Sequence, residues 1–213
     1  MRAPEPGRAK TRLIPHLGAK NAAALAHAFA LDALAKARRT GLPLIIAGDA
    51  LGGVFSGGYF RRLSRRFDSI LLDQGEGSLG IRMRRAFEPY LAKGALLIGT
   101  DTPSLPLAAL QRNHALLRRN RVVFGPSLDG GYYALGLRAA LPDVFRGIRW
   151  GGAQVLRDSV ARLQTAGTPF RLGPSWYDID RWSDLLLLTE HLRQLRSNPC
   201  PATSAVLHRL GLL

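Results

Sequence analysis

Residues 94–106 read GALLIGTDTPSLP, and their reading decides the fold. Ala95 to Ile98 form an apolar run of strand length, bounded by Gly94 and ended by Thr102-Pro103. A short apolar run between turn residues predicts a fully buried strand. Asp101 then falls at the carboxyl end of that strand, where it projects at the edge of the sheet.

Strands and helices alternate outward from this point. A helix is predicted over Asn21–Thr40, with Leu25, Ala28, Phe29, Asp32 and Ala35 or Lys36 at helical spacing and Gly41 as its stop. The strand LPLIIAG (42–48), a basic helix around YFRRLSRRF (59–67), the strand SILLD (69–73) and a helix over Gly80–Ala92 follow. Beyond residue 106 come a helix at Leu107–Arg119, strands RVVFGP (121–126) and GGYYALGL (130–137), and a helix at Val155–Gln164. The strand PFRLG (169–173), a helix at Trp182–Arg196 and a short helix at Ala205–Leu210 complete the order. Such alternation predicts one α/β domain over 1–213, a three-layer αβα arrangement around a mainly parallel sheet, with 198–213 as a C-terminal tail and helix. In sheets of this kind ligands sit at the carboxyl ends of the strands.

Composition excludes several classes of function. The 213 residues have an ordinary mean hydropathy of −0.01, and no apolar run approaches the roughly 20 residues of a membrane span. A single cysteine, Cys200, and the lack of an export signal predict a reducing, cytoplasmic setting. The formal charge of +15 comes from 26 arginines and 4 lysines spread from Arg2 to Arg209. A nucleic-acid binder would gather such charge on one element with aromatics interleaved for stacking, so no nucleic-acid partner is expected. The pairs of arginines around Leu63 read as the solvated face of a helix whose Phe60, Leu63 and Phe67 turn inward.

Three acidic motifs and one basic loop carry the chemistry. Asp101 fits both a turn-capping carboxylate and a hard-metal ligand facing a diphosphate. Asp129 is followed by Gly130-Gly131, which suits either a hairpin turn or the close approach of a ligand to the backbone. Of the two tyrosines that follow, one is expected to face the core and the other the site. In WYDIDRWSDLLLL, Asp178 and Asp180 share a face of an extended segment, and Asp184 suits the first turn of the next helix. At the amino end, PGRAKTRL offers Arg8, Lys10 and Arg12 from a turn-rich loop, with side chains suited to phosphate oxygens. The loop is not a P-loop, for no G-x-x-x-x-G-K-[ST] is present. The five histidines lack ligand spacing for zinc, and no G-x-S-x-G elbow marks a serine nucleophile. Trp150 in FRGIRWGG fits a packed core aromatic, or else the wall of an acceptor pocket.

Taken in order, PEPGRAKTRL, QGEGSLGIRM, GTDTPSLP, GPSLDGGYYALGL, FRGIRW and WYDIDRWSDL resemble a family of bacterial transferases with the GT-A, nucleotide-diphospho-sugar transferase fold, the DUF2064 type, some linked with arsenosugar biosynthesis. AKTRLIPHLG is also similar to a stretch of the 2-phospho-lactate guanylyltransferases. The resemblance implies a metal-dependent glycosyltransferase acting on a nucleotide-sugar and a small-molecule acceptor. It makes Asp101 a ligand of Mg²⁺ or Mn²⁺, with Asp180 or Asp178 as the second carboxylate. Arg8, Lys10 and Arg12 would hold the diphosphate or triphosphate, with Lys10 and Asp129 in catalytic roles and Asp129, Gly130 and Gly131 bordering the sugar or acceptor side. Gly80, Arg82 and Met83 would help form the nucleotide pocket. A nucleotidyltransferase that releases pyrophosphate from an NTP and an inactive nucleotide-binding module are the alternatives. The family's apolar first strand has no counterpart before PEPG, so two neighbouring strands are expected to lack a partner along one edge each. GIRWGGAQVL has glycines where the family places hydroxyl residues, and Arg181-Trp182 stands for its Thr-Pro.

Overall fold

The computed structural model describes residues 1–49, 54–139 and 144–213. A 3₁₀ turn (Thr11–Leu13) and a single helical turn, α1 (Ile14–Leu17), lead into the long α2 (Ala19–Arg38). Then follow β1 (Ile45–Gly48), α3 (Val54–Phe67), β2 (Ile70–Asp73), α4 (Leu79–Phe87), β3 (Ala95–Ile98) and α5 (Leu107–Leu117). The second half contains β4 (Val122–Pro126), β5 (Tyr132–Leu137), α6 (Val155–Thr165), β6 (Phe170–Leu172), α7 (Trp182–Gln194) and α8 (Pro201–Arg209).

The α/β class expected from the alternation is the class observed, with helices packed around mixed sheets. Parallel pairing joins β1 to β2 and β4 to β6, whereas β5 runs antiparallel to both β3 and β4. The antiparallel pairing has a local cause: only five residues, Ser127 to Gly131, connect β4 to β5, too few for a crossover.

The strands fall into two groups, β1-β2 and β3-β5-β4-β6. Among the described residues β1 pairs only with β2, and β3 only with β5. A cleft of about 1240 Å³ separates the groups, lined by Ile45, Ile46 and Ala47 on one side and Ala95 to Ile98 on the other. Ala30, Ala33 and Leu34 of α2 and Leu110 and Leu117 of α5 extend its apolar wall. Among the described residues these are the two edges expected to lack a partner strand. Met1 enters the cleft beside β1: its amino group donates to Ala47 O, and its carbonyl accepts from the Asp49 amide at 3.1 Å.

Among the described residues four hydrophobic clusters hold the frame. The first joins Leu13, Leu25, Phe29, Ile179, Leu185, Leu188 and Leu207, so it ties the amino-terminal loop to α2, α7, α8 and the Asp178–Asp180 segment. Burying each such large side chain contributes about 1.5–3 kcal/mol. Asp32, on the buried face of α2, accepts from the amides of Ala202 and Thr203 and from Thr203 Oγ1, capping α8 from a distant helix. Pro201 at the first helical position completes that start, so α8 begins four residues before the predicted Ala205. α4 stops at Phe87 rather than Ala92, and a 3₁₀ turn containing Pro89 follows it. Phe60 and Leu63 of α3 are buried as predicted, with Phe67 packed beside them.

Candidate functional site

The site is assembled from segments remote in sequence. The loop Glu5–Lys10 turns on itself through amides of Arg8 and Ala9 donating to Glu5 O. Lys10 takes a left-handed conformation, φ 45°, which is uncommon for a residue with a side chain, and fully buried Leu13 anchors the loop in the first cluster. Lys10 is thereby turned inward, while Arg8 is left 80% exposed and paired with Glu5 at 3.1 Å.

The acidic residues come from two adjoining segments. The Ile179 amide donates to Asp101 O at 2.9 Å, joining the end of β3 to the extended chain before α7. Ile179 is fully buried, so its neighbours Asp178 and Asp180 point the other way, as the alternation of an extended segment requires. Their partners nevertheless differ. Lys10 Nζ lies 2.6 Å from Asp101 Oδ1 and 2.9 Å from Asp180 Oδ1, and it donates to Ile179 O at 2.6 Å. Asp178 Oδ1 instead accepts from Ser127 Oγ at 2.6 Å, on the β4–β5 connection. Arg12 reaches Asp180 Oδ2 at 3.6 Å.

Protonation follows these contacts. Burial alone would lower the Lys10 pKa, but the charges of Asp101 and Asp180 outweigh it and hold the ammonium above the ordinary lysine value. Asp180 is pushed up by burial, yet Lys10, Arg12 and Arg181 bring it below the usual carboxylate range. Asp178 moves the other way: burial raises it, with the charges of Asp129 and Asp180 adding to the rise against the Ser127 hydrogen bond.

Arg8, Lys10, Arg12, Arg82, Asp101 and Asp180 all line the cleft, so the basic loop and two of the expected carboxylates converge. Arg82 Nε is buried without a hydrogen-bond partner among the described residues. Asp129, Gly130 and Gly131, on the β4–β5 connection, lie outside this lining, as does Asp178, on the segment before α7 that is bonded to it through Ser127. Asp129 Oδ1 accepts from the Gly131 amide at 2.8 Å, closing the turn that Asp-Gly-Gly predicts. Gly130 has φ 90°, and a Cβ there would meet Ala153 O at 2.1 Å. Its close backbone neighbour is therefore the chain's own carbonyl. Gly80 packs against the Trp150 ring, where a Cβ would come within 2.9 Å, so this glycine serves helix-to-aromatic packing. Both β5 tyrosines pack inward: Tyr133 is 4% exposed and bonded to Asn113, and Tyr132 lies against Phe124. The expectation that one faces the site is corrected by packing on both sides of β5, where Tyr132 joins the cluster of Phe124 and Tyr133 that of Leu110.

Two contributors carried no sequence signal. Ser127 holds Asp178, and buried Lys36 of α2 donates to Pro103 O at 2.7 Å, pinning the loop that follows Asp101. Lys36 showed only as an alternative to Ala35 on the spaced face of a helix. Ser127, two residues before Asp129, was legible only as part of a turn.

Residues fit for a divalent cation are Asp101 and Asp180, hard oxygen donors within reach of one ammonium and half-exposed to the cleft. No group of three or more His, Cys, Asp or Glu that could hold a metal occurs among the described residues. A cation here fits the Mg²⁺ pattern of one or two carboxylates completed by water and phosphate.

A mixed α/β frame, a basic amino-terminal loop and carboxylates at strand ends define a fold of the nucleotide-diphospho-sugar transferase type. A protein of Desulfovibrio desulfuricans G20, provisionally assigned as a nucleotide-diphospho-sugar transferase, matches in structure with a TM-score of 0.86. The two chains are 29% identical over 100% of this chain and 93% of that one. More narrowly, the chain belongs to DUF2064, a family of uncharacterized proteins conserved in bacteria, whose pattern matches residues 30–152. No curated protein matches it. No helix among the described residues is long and apolar enough to cross a membrane.

Proposed function

We propose that the protein is a transferase that moves a sugar from a nucleotide-diphospho-sugar to a small-molecule acceptor. The observation that carries this reading is the convergence of Arg8, Lys10, Arg12 and Arg82 with Asp101 and Asp180 on one cleft. The structural likeness to the Desulfovibrio protein supports the same class. In the reaction the bond between the anomeric carbon and the β-phosphate oxygen breaks, and the acceptor oxygen forms a new bond to that carbon. The leaving diphosphate gathers negative charge, which Arg8, Arg12 and Arg82 are suited to receive through paired N–H donors. Asp101 and Asp180 would hold Mg²⁺ or Mn²⁺, which supplies further charge neutralisation on the diphosphate when bound. On the acceptor side Asp129, with one oxygen engaged by the Gly131 amide, orients the acceptor hydroxyl. Asp178, its proton affinity raised by burial, is suited to take the acceptor proton. The lone buried Cys200 fits the reading of a cytoplasmic enzyme.

A second reading is favoured by the split of the acidic pair. Asp101 comes from the end of β3 and Asp180 from the segment before α7, an arrangement that equally suits a nucleotidyltransferase. There an acceptor phosphate attacks the α-phosphate of an NTP and pyrophosphate leaves. Incubation with Mg²⁺ and either nucleotide-sugars or NTPs separates the two. Release of NDP from a nucleotide-sugar is expected. Pyrophosphate without NDP overturns the sugar-transfer reading, and binding with neither product marks an inactive nucleotide-binding module.

A further inference from the structure

The Lys10 ammonium sits where a cation shared by Asp101 and Asp180 would have to lie. An ammonium has three N–H donors. Those of Lys10 are matched by three acceptors: Asp101 Oδ1 at 2.6 Å, Asp180 Oδ1 at 2.9 Å and Ile179 O at 2.6 Å. The side chain is 7% exposed, and Nζ lies 5.3 Å from the Phe29 ring centroid, so its surroundings are closed on the protein side. Lys10 in this position therefore has no N–H left for a phosphate, although its loop carries the other phosphate-binding cations. A divalent cation and an ammonium also repel too strongly to share one pair of oxygens at such distances.

On the reading of the cleft as a cation–diphosphate site, we propose that Lys10 is a displaceable counter-ion. It holds Asp101 and Asp180 together in the ligand-free protein, and entry of the divalent cation moves its ammonium off the carboxylates toward the diphosphate. One event then creates the cation site and adds a donor for the anion, so cation and diphosphate each strengthen the binding of the other. The freedom needed is local. Lys10 ends a surface turn, and its neighbours Arg8 and Arg12 have side chains 80% and 60% exposed.

The test uses Mn²⁺ alone, with electron paramagnetic resonance reporting bound metal in the wild type and in Lys10→Met. Removing the competing ammonium is expected to tighten Mn²⁺ binding about ten-fold or more, a gain abolished by adding Asp101→Asn. Equal, measurable affinity in the wild type and Lys10→Met overturns the displacement and leaves the cation site standing. Binding in neither overturns both. A second measurement needs no substitution, because the chain has only four lysines, Lys10, Lys20, Lys36 and Lys93. Brief acetylation with acetic anhydride, mapped by mass spectrometry, should show Lys10 reactivity rising about ten-fold relative to Lys20 as Mn²⁺ binds. Unchanged Lys10 reactivity over the range in which Mn²⁺ binds overturns the proposal.

Discussion

The amide of Ile179 donates to the carbonyl of Asp101 at 2.9 Å, and this bond sets the two acidic segments of the site side by side. Because Ile179 is also locked in the first hydrophobic cluster, the carboxylate of Asp180 is delivered to the cleft by packing. Asp184 serves the backbone instead, for its Oδ2 accepts from the amides of Asp180 and Arg181 at the start of α7. Asp101→Asn is expected to abolish turnover, whereas Asp184→Asn should cost about 1 kcal/mol of stability as a weakened cap and leave most of the activity. Urea denaturation and the NDP-release assay on both variants check this. Comparable losses of activity would refute the assignment.

Gly130 tests the β4–β5 connection. With φ 90° and Ala153 O 2.1 Å from the position a Cβ would take, Gly130→Ala combines backbone strain with a backbone clash. A loss of about 3 kcal/mol or more is expected from the two together. Gly151 also has a positive φ, but nothing lies within 4 Å of its Cβ position. Gly151→Ala should therefore cost clearly less, and a denaturant midpoint that falls equally in both would remove the steric explanation.

The cleft between β1 and β3 predicts an unusual gain. Among the described residues, a segment of four or five alternating Val and Ile residues fused before Met1 would meet strand edges without a partner strand on both sides, and apolar walls. Its backbone would complete two ladders, and its buried side chains would offset the entropy of ordering it. The melting temperature is expected to rise by several degrees, at roughly 2–4 °C per kcal/mol for a chain of this size. An Asp-rich segment of equal length should give no rise, and equal effects from both would contradict strand insertion.

Stability should vary with pH in the alkaline range. Burial pushes the Lys36 ammonium down to about 8, below its value of about 10.4 in an unfolded chain. Above pH 8 the unfolded chain therefore binds more protons than the native one, and stability rises with pH. Burial also pushes the Cys200 thiol up to about 12, so above its unfolded value of about 8.5 it contributes a fall. The expected profile rises toward roughly pH 9, flattens while the two oppose, and falls above roughly pH 10.5, where Lys10 also begins to lose its proton in the unfolded chain. Chemical denaturation at stepped pH measures it. Replacing Cys200 by Ala should prolong the rise, and an unchanged profile would rule out the thiol as its cause.

Much of the frame was legible locally. The apolar runs at Ile45–Gly48, Ala95–Ile98 and Val122–Pro126 became strands, and the Leu25–Phe29–Asp32 face of α2 is buried as its spacing required. The starts and stops were harder to read. α8 begins at Pro201 because Asp32, 170 positions away, caps it. The pairing of Asp178 and Asp180 on one face was also legible, since alternation is a property of extended backbone. Their separation between Ser127 and Lys10 was not.

The amino-acid order by itself determined the alternation of strands and helices, the chemical types gathered at strand ends and the basic character of the opening loop. Hydrophobic period and turn chemistry act over a few residues and leave a local record. Tertiary structure alone decided that an ammonium occupies the gap between Asp101 and Asp180, that the carbonyl of Ala153 closes over Gly130, and that β1 and β3 face each other across an apolar cleft. These contacts join positions far apart in the chain, and they depend on how buried surfaces pack, which no short stretch of sequence encodes.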